Sequence, residues 1–239
     1  MTPTLEPDLY PIPGFHDPFS ALSHLFGAAV FVVLGVIILR KARQEPFDAT
    51  RFGCVFVYAI SCIVLFSMSG VYHMMTAGST ARAVMGLLDH NAIFVLIAAS
   101  FTPAHGILFR GWMRWAPLAF IWAFAITGIT LKTIYFRDLP ESVGLGLYLG
   151  MGWLGALSGA VLALRYGYRF IRPLLWGGIA YSIGGALDGM RWPTVLPGVI
   201  RPHEVFHVAV LVGALLHWRF NMQFADGSIT PETGRKDER

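Results

Sequence analysis

Two histidines, His203 and His207, stand four residues apart in the stretch RPHEVFHVAVLVGALLHW, which runs from Arg201 to Trp218. Residues at that spacing share one face of a helix, so the two imidazoles can hold a single metal ion. The plainer alternative is a pair of interfacial histidines hydrogen-bonded to water. The letters HEVFH also match the zinc-protease pattern H-E-x-x-H, in which the glutamate acts as general base. A second four-residue spacing, Ser69 and His73, occurs in SMSGVYHMM, and a carboxylate, Asp89, follows in GLLDHNAIF.

The elements that must carry these residues are apolar. Hydrophobic residues make up 55% of the 239 positions and charged residues 13%, against about 25% charged in soluble domains. The mean hydropathy is +0.59. About 20 apolar residues in a helix span a bilayer, and seven stretches qualify: 20–40, 53–75, 84–104, 114–132, 143–164, 172–190 and 202–220. The expected fold is all-α, a seven-transmembrane helix bundle covering 20–220. A polar N-terminal segment (1–19) precedes it, and a polar, disordered tail (221–239) follows. Pro103 is expected to end or kink the third span. Gly146, Gly150, Gly155 and Gly159 are expected to allow close helix packing in the fifth.

Tracking sides through the spans brings the polar residues together. Span two leaves the membrane where span three enters, and span seven enters on that same side. Ser69, His73, Asp89, His203 and His207 therefore approach one membrane face at similar depth. Three imidazoles and a carboxylate from three helices form a zinc-like ligand set. His217 lies fourteen residues past His203, ~21 Å along the helix, and cannot join them. His90 points ~100° away from Asp89 and reads as a packed polar residue. His16 and His105 fall in loops. His24, one turn into span one, is either a second-shell partner or a satisfied interfacial histidine. Glu204 has a simple reading, a carboxylate in the first turn of a helix where the dipole favours it. Asp188, in the L-D-G sequence Leu187 to Gly189, can reach the site. It precedes the histidine pair, the reverse of the order in intramembrane zinc proteases, and the protease reading is a minor alternative.

Net charge is +4 and the pI is about 9.3. The basic residues sit between apolar segments, so they speak to topology and not to nucleic acid. Of the 18 Lys and Arg residues, 13 fall on the side of the C-terminus and 5 on the other. The positive-inside rule then predicts a cytoplasmic C-terminus and an outside N-terminus. The N-terminal segment lacks the basic region of a cleaved signal peptide. Cys54 and Cys62, eight residues apart in one helix, lie ~12 Å from one another and are expected to stay unpaired.

The chain resembles the haemolysin III family of the progestin and adipoQ receptor superfamily, which includes the adiponectin receptors. The resemblance runs from ALSHLFG through SMSGVYH, LDHNAIFVLIAASFTP and YLGMGWL to HEVFHVAVLVGALLHW. It departs from the family at Phe101-Thr102-Pro103, where tyrosine often stands in place of Phe101. The resemblance implies a zinc ion held by His73, His203 and His207, with Asp89 beside the metal's water and Ser69 close by. It gives Glu204 no role. It also implies the opposite membrane orientation, with a cytoplasmic N-terminus. The preferred functional expectation is a cell-membrane, zinc-dependent hydrolase acting on a membrane lipid, including a lipid amide, with Asp89 as general base. The alternative is a receptor-like or pore-forming protein in which zinc is structural.

Overall fold

The computed structural model describes residues 10–136 and 138–233. Arg137, Arg235, Lys236 and Arg239, which enter the charge count, lie outside the described residues, as do positions 1–9. Eight helices follow in order: α1 (Pro18–Ala42), α2 (Ala49–Met74), α3 (Thr80–Leu108), α4 (Trp112–Ile134), α5 (Glu141–Trp153), α6 (Gly155–Tyr166), α7 (Tyr168–Gly189) and α8 (Pro202–Met222). Helices α5 and α6 form one 26-residue span, Glu141–Tyr166, interrupted at Leu154. Among the described residues, six spans are long and apolar enough to cross a membrane: α1, α2, α3, α4, α5–α6 and α8. The expected sixth of the seven, α7, has the length at 22 residues. Arg169, Arg172, Asp188 and several glycines make it less apolar.

Local chemistry sets the helix ends. Pro18 and Pro202 open α1 and α8, where a missing N–H costs nothing. Asp48 caps α2 by accepting from the Thr50 and Arg51 amides, and Ser79 caps α3 by accepting from Arg82 N–H. Pro103 does not end α3, which continues through it to Leu108. Pro103 and its neighbours Thr102 and Ala104 are buried against the bundle, and packing of this kind tolerates an unsatisfied carbonyl in a membrane helix.

The main core lies between α1, α2, α3 and α8, with Phe31, Tyr58, Phe66 and Val210 at its centre. Tyr58 hydroxyl donates to the Ala214 carbonyl at 2.8 Å and so joins α2 to α8. Helices α1 and α2 approach closely at Gly70, where a Cβ would fall 3.0 Å from the Leu25 backbone nitrogen. Outside, large apolar side chains face outward, including Leu164 at 89% exposed and Phe26 at 70%. An apolar belt of this extent fits lipid and not water.

The two end segments pack against the bundle. At one end, Tyr10 N–H bonds to the Gly198 carbonyl and Asp17 N–H to that of His73. At the other, the first part of the tail is ordered where disorder was expected. Phe224 and Ala225 are fully buried, Phe224 among Phe170, Phe220 and Leu108. Lys41 bonds to the Met222 carbonyl and pairs with Asp226. Tyr166 hydroxyl donates to the Thr230 carbonyl, and Arg110 pairs with Glu232. An apolar Phe-Ala step gives this segment something to bury.

Candidate metal centre

The last turn of α2 and the first turns of α8 place three imidazoles together. His73 Nε2 lies 3.4 Å from His203 Nε2, and His203 Nε2 lies 3.1 Å from His207 Nε2. One ligand atom from each of the three falls within 4.8 Å of the others. Tetrahedral metal–nitrogen bonds of 2.0–2.1 Å put neighbouring nitrogens about 3.3 Å apart, so the spacing fits a metal ion.

The other ring nitrogens explain the orientation. His73 Nδ1 donates to Asp17 Oδ2 at 2.9 Å, and His203 Nδ1 lies 3.3 Å from Asp188 Oδ1. A proton on each Nδ1 leaves a lone pair on each Nε2, and those lone pairs converge. This is the arrangement of a carboxylate–histidine–metal relay. His207 Nδ1 is near the Ser20 carbonyl without a well-formed hydrogen bond. His24 stacks on His207, with ring centroids 3.8 Å apart, and its Nε2 approaches the His207 carbonyl at 3.4 Å. It packs directly behind the His207 ring, buried between α1 and α8.

Asp17 is the centre of a small network. Beyond His73, its Oδ2 accepts from Arg82 Nη2 at 2.6 Å, and its Oδ1 accepts from His16 Nδ1 at 2.7 Å. Burial alone would raise the Asp17 carboxyl, but the hydrogen bonds from His73, Arg82 and His16 outweigh it and hold the group well below the usual carboxylate range. Asp17 is therefore ionised wherever the histidines are neutral. Arg82, one of the five basic residues on this side in the charge count, is committed to this network and to the Met75 carbonyl.

Asp89 stands outside the three-histidine set. It is buried more than two turns into α3, its carboxylate hydrogen-bonded by the Ser69 side chain and within electrostatic reach of His203. Asp89, Ser69, His203 and His207 line one cavity of about 1450 Å³, larger than most small-molecule pockets. The cavity extends past Leu96 and Leu162 to His217, toward the opposite end of the bundle. Its outer wall is α5–α6, in which Gly144, Met151 and Leu162 are the buried residues. The glycines of this wall do not act as expected. A Cβ on Gly146 or Gly150 would meet nothing within 4 Å, whereas Gly155 lies against Phe101 and Gly159 only just reaches Leu174. Both are exposed, and of the two only Gly146 lines the cavity, so they draw no helices together.

Glu204 is buried and turned to structural use. Its carboxylate accepts from Ser20 Oγ at 3.0 Å and from Arg201 N–H at 2.9 Å. It caps α8 and ties it to α1, as its first-turn position suggested. The protease role needs this carboxylate directed at the metal's water, and both its oxygens are taken by other partners.

A profile of the Haemolysin-III related family matches residues 15–218. The chain belongs to the haemolysin III family. It is 30% identical over 197 residues to Hemolysin-3 of Bacillus cereus, covering 82% of this chain and 86% of that protein. The Hemolysin-3 homolog of Bacillus subtilis is 31% identical over 167 residues, 69% of this chain and 76% of its own length. A yeast protein, ADIPOR-like receptor IZH2 of Saccharomyces cerevisiae, is 26% identical over 229 residues, covering 85% of this chain and 70% of that one. These relatives place the haemolysin III chain in the wider adiponectin-receptor-like superfamily.

Several of the haemolysin III chain's polar residues escape a reading of spans alone. Asp17 precedes the first span in a proline-rich segment with no periodic signal. His105 lies within α3 and not in a loop; it is buried, with Nδ1 donating to the Met113 carbonyl and Nε2 accepting from Ser158 Oγ at 2.9 Å. His90 is packed as expected, its Nδ1 donating to the Gly86 carbonyl. His217 bonds to the Leu174 carbonyl, further along α8 and ~15 Å from His207 by helix rise. Cys54 and Cys62 are buried and unpaired.

Proposed function

We propose that this protein is a zinc-binding membrane hydrolase whose substrate is a lipid, with a lipid amide as the preferred class. The observation that carries the reading is the convergence of three Nε2 atoms beside a buried carboxylate at the head of a long, largely apolar cavity. His73, His203 and His207 would hold the ion. When bound, zinc supplies positive charge that polarises a carbonyl and acidifies water.

The protein's own groups supply the rest. Asp89 accepts a proton at its carboxylate as general base. Ser69 orients Asp89 through the hydrogen bond between them. The apolar cavity holds the acyl chain and excludes bulk water. Asp17 and Asp188 keep the Nδ1 protons of His73 and His203 in place.

The test is Asp89→Asn in purified protein. Zinc content and fold stay near wild type while turnover of a long-chain lipid amide falls below detection. If turnover persists, Asp89 is not the base. If no lipid is hydrolysed by the wild type and His207→Ala unfolds the bundle, zinc is structural and the receptor or pore reading replaces this one. We also propose a cell-membrane location with the C-terminus in the cytoplasm, from the basic-residue count. An active periplasmic reporter fused at the C-terminus overturns that orientation.

A further inference from the structure

Lys132 lies in the last turn of α4, inside a membrane span. A lysine near a span end ordinarily snorkels to the interface, yet this one is only 7% exposed. Its ammonium lies over the Phe136 ring, 5.4 Å from the centroid, and the residue lines the same cavity as Asp89 and His203. Among the described residues it makes no hydrogen bond and no ion pair. Glu141, at the start of α5, is an opposite charge within electrostatic range but beyond pairing distance. Ionisable groups held inside a membrane protein are costly and have a partner or a task.

The surroundings leave room for that partner. Position 144 of α5 faces the amine, where a Cβ would lie 3.6 Å from Lys132 Nζ, and it is a glycine. Gly146, two residues on and also lining the cavity, has nothing within 4 Å of where a Cβ would fall. The level is fixed by Asn91 Nδ2, which donates to Thr133 Oγ1 at 3.0 Å. Asn91 is two residues past Asp89, and Thr133 is the neighbour of Lys132, so amine and carboxylate lie at similar depth. Of the other acids lining the cavity, Asp89 is engaged with Ser69 and Asp188 with His203, while Glu141 stays beyond pairing distance of the amine. Arg191, just past α7, and Arg201, just before α8, add two further cations to the cavity lining.

We infer that Lys132 receives the anionic group of the substrate, and that the substrate is an acidic lipid amide in which a carboxylate stands a few bonds from the amide, as in an N-acylated amino acid. The inference rests on the lipid reading of the cavity. The depth match is what restricts it: an anion held by Lys132 lies beside the reacting group and not at the far end of the chain.

The experiment measures thermal stabilisation of zinc-loaded protein in detergent by N-palmitoylglycine, by its methyl ester and by N-acetylglycine. In the wild type, the acid acts at a concentration about tenfold lower than the ester, the scale of one charge-assisted hydrogen bond, and N-acetylglycine has no effect. Lys132→Gln loses the tenfold preference and Lys132→Arg keeps it. Lys132→Met replaces the glutamine variant if that variant does not fold. Equal response to acid and ester in the wild type overturns the inference, and so does an acid preference that survives in Lys132→Gln. Stabilisation by N-acetylglycine equal to that of the lipid acid overturns the lipid and leaves a small-anion site. Hydrolysis is followed in the same samples. If neither amide is cleaved while the acid preference persists and depends on Lys132, the hydrolase reading fails and the headgroup assignment stands.

Discussion

His73 Nδ1 lies 2.9 Å from Asp17 Oδ2, so a residue that precedes the first span fixes the ring of a residue at the end of the second. Asp17 is held in turn by its own N–H, which donates to the His73 carbonyl at 2.9 Å. The turn before α1 that carries Asp17 is thus part of the candidate metal centre. Asp17→Asn keeps the shape but weakens the acceptor that sets the His73 tautomer. Zinc affinity should fall about 10–100-fold, the usual effect of losing such a partner. A competition titration against a fluorescent zinc chelator measures it, with helicity unchanged by circular dichroism.

Glu204 allows a clean separation of structure from chemistry. Glu204→Ala leaves the Ser20 hydroxyl and the Arg201 amide without their acceptor, and the expected loss is about 1–3 kcal/mol of stability. Zinc content should not change. Glu204→Gln retains one acceptor and should be milder in stability, with turnover within a few-fold of wild type. A collapse of turnover in Glu204→Gln with intact zinc would restore the protease-like role for this glutamate.

Removing the metal should loosen the bundle. An ion bound only by the folded state, present at a hundred times its Kd, contributes about 2.7 kcal/mol. Chelation should therefore lower the Tm of the wild type. His207→Ala should start lower and show no further response to the chelator. A wild-type Tm indifferent to chelation and to added zinc would show that no ion is bound at these histidines.

Gly146 offers a test of the cavity. A Cβ there meets nothing within 4 Å, so Gly146→Leu is accommodated by the backbone and gains helix propensity of several tenths of a kcal/mol. The added side chain projects into the space beside α5. Turnover or binding should shift toward shorter acyl chains with little change in Tm. Chain-length preference measured with amides of eight to eighteen carbons reads the effect, and an unchanged preference places the chain elsewhere.

Much of the centre is legible in the sequence, for a simple reason. His203 and His207 share a helix face by spacing alone, and the alternation of spans brings His73 and Asp89 to the same level. What escapes is whatever depends on tertiary approach. Asp17 carries no periodic signal, because it lies in an irregular segment that reaches the site by packing. Asp188 is visible as a reachable acid, but its pairing with His203 depends on how α7 packs on α8. His105 is misplaced because a proline two residues earlier suggests a helix end, and burial against neighbouring helices overrides that local preference. The four-residue glycine spacing in α5–α6 is real, but spacing cannot say whether a small face meets a helix or an empty volume. The packing of Phe224 likewise depends on a slot that only the assembled helices provide.

The three histidines come from α2 and α8, and His73 and His203 are 130 positions apart. During synthesis the metal centre therefore cannot exist until the last helix has entered the membrane and docked. A nascent chain that stops before Pro202 carries only one of the three clustered histidines, His73. Any metal loading at these histidines is in this sense a late event in biogenesis, a closure step that would report that insertion through α8 is complete.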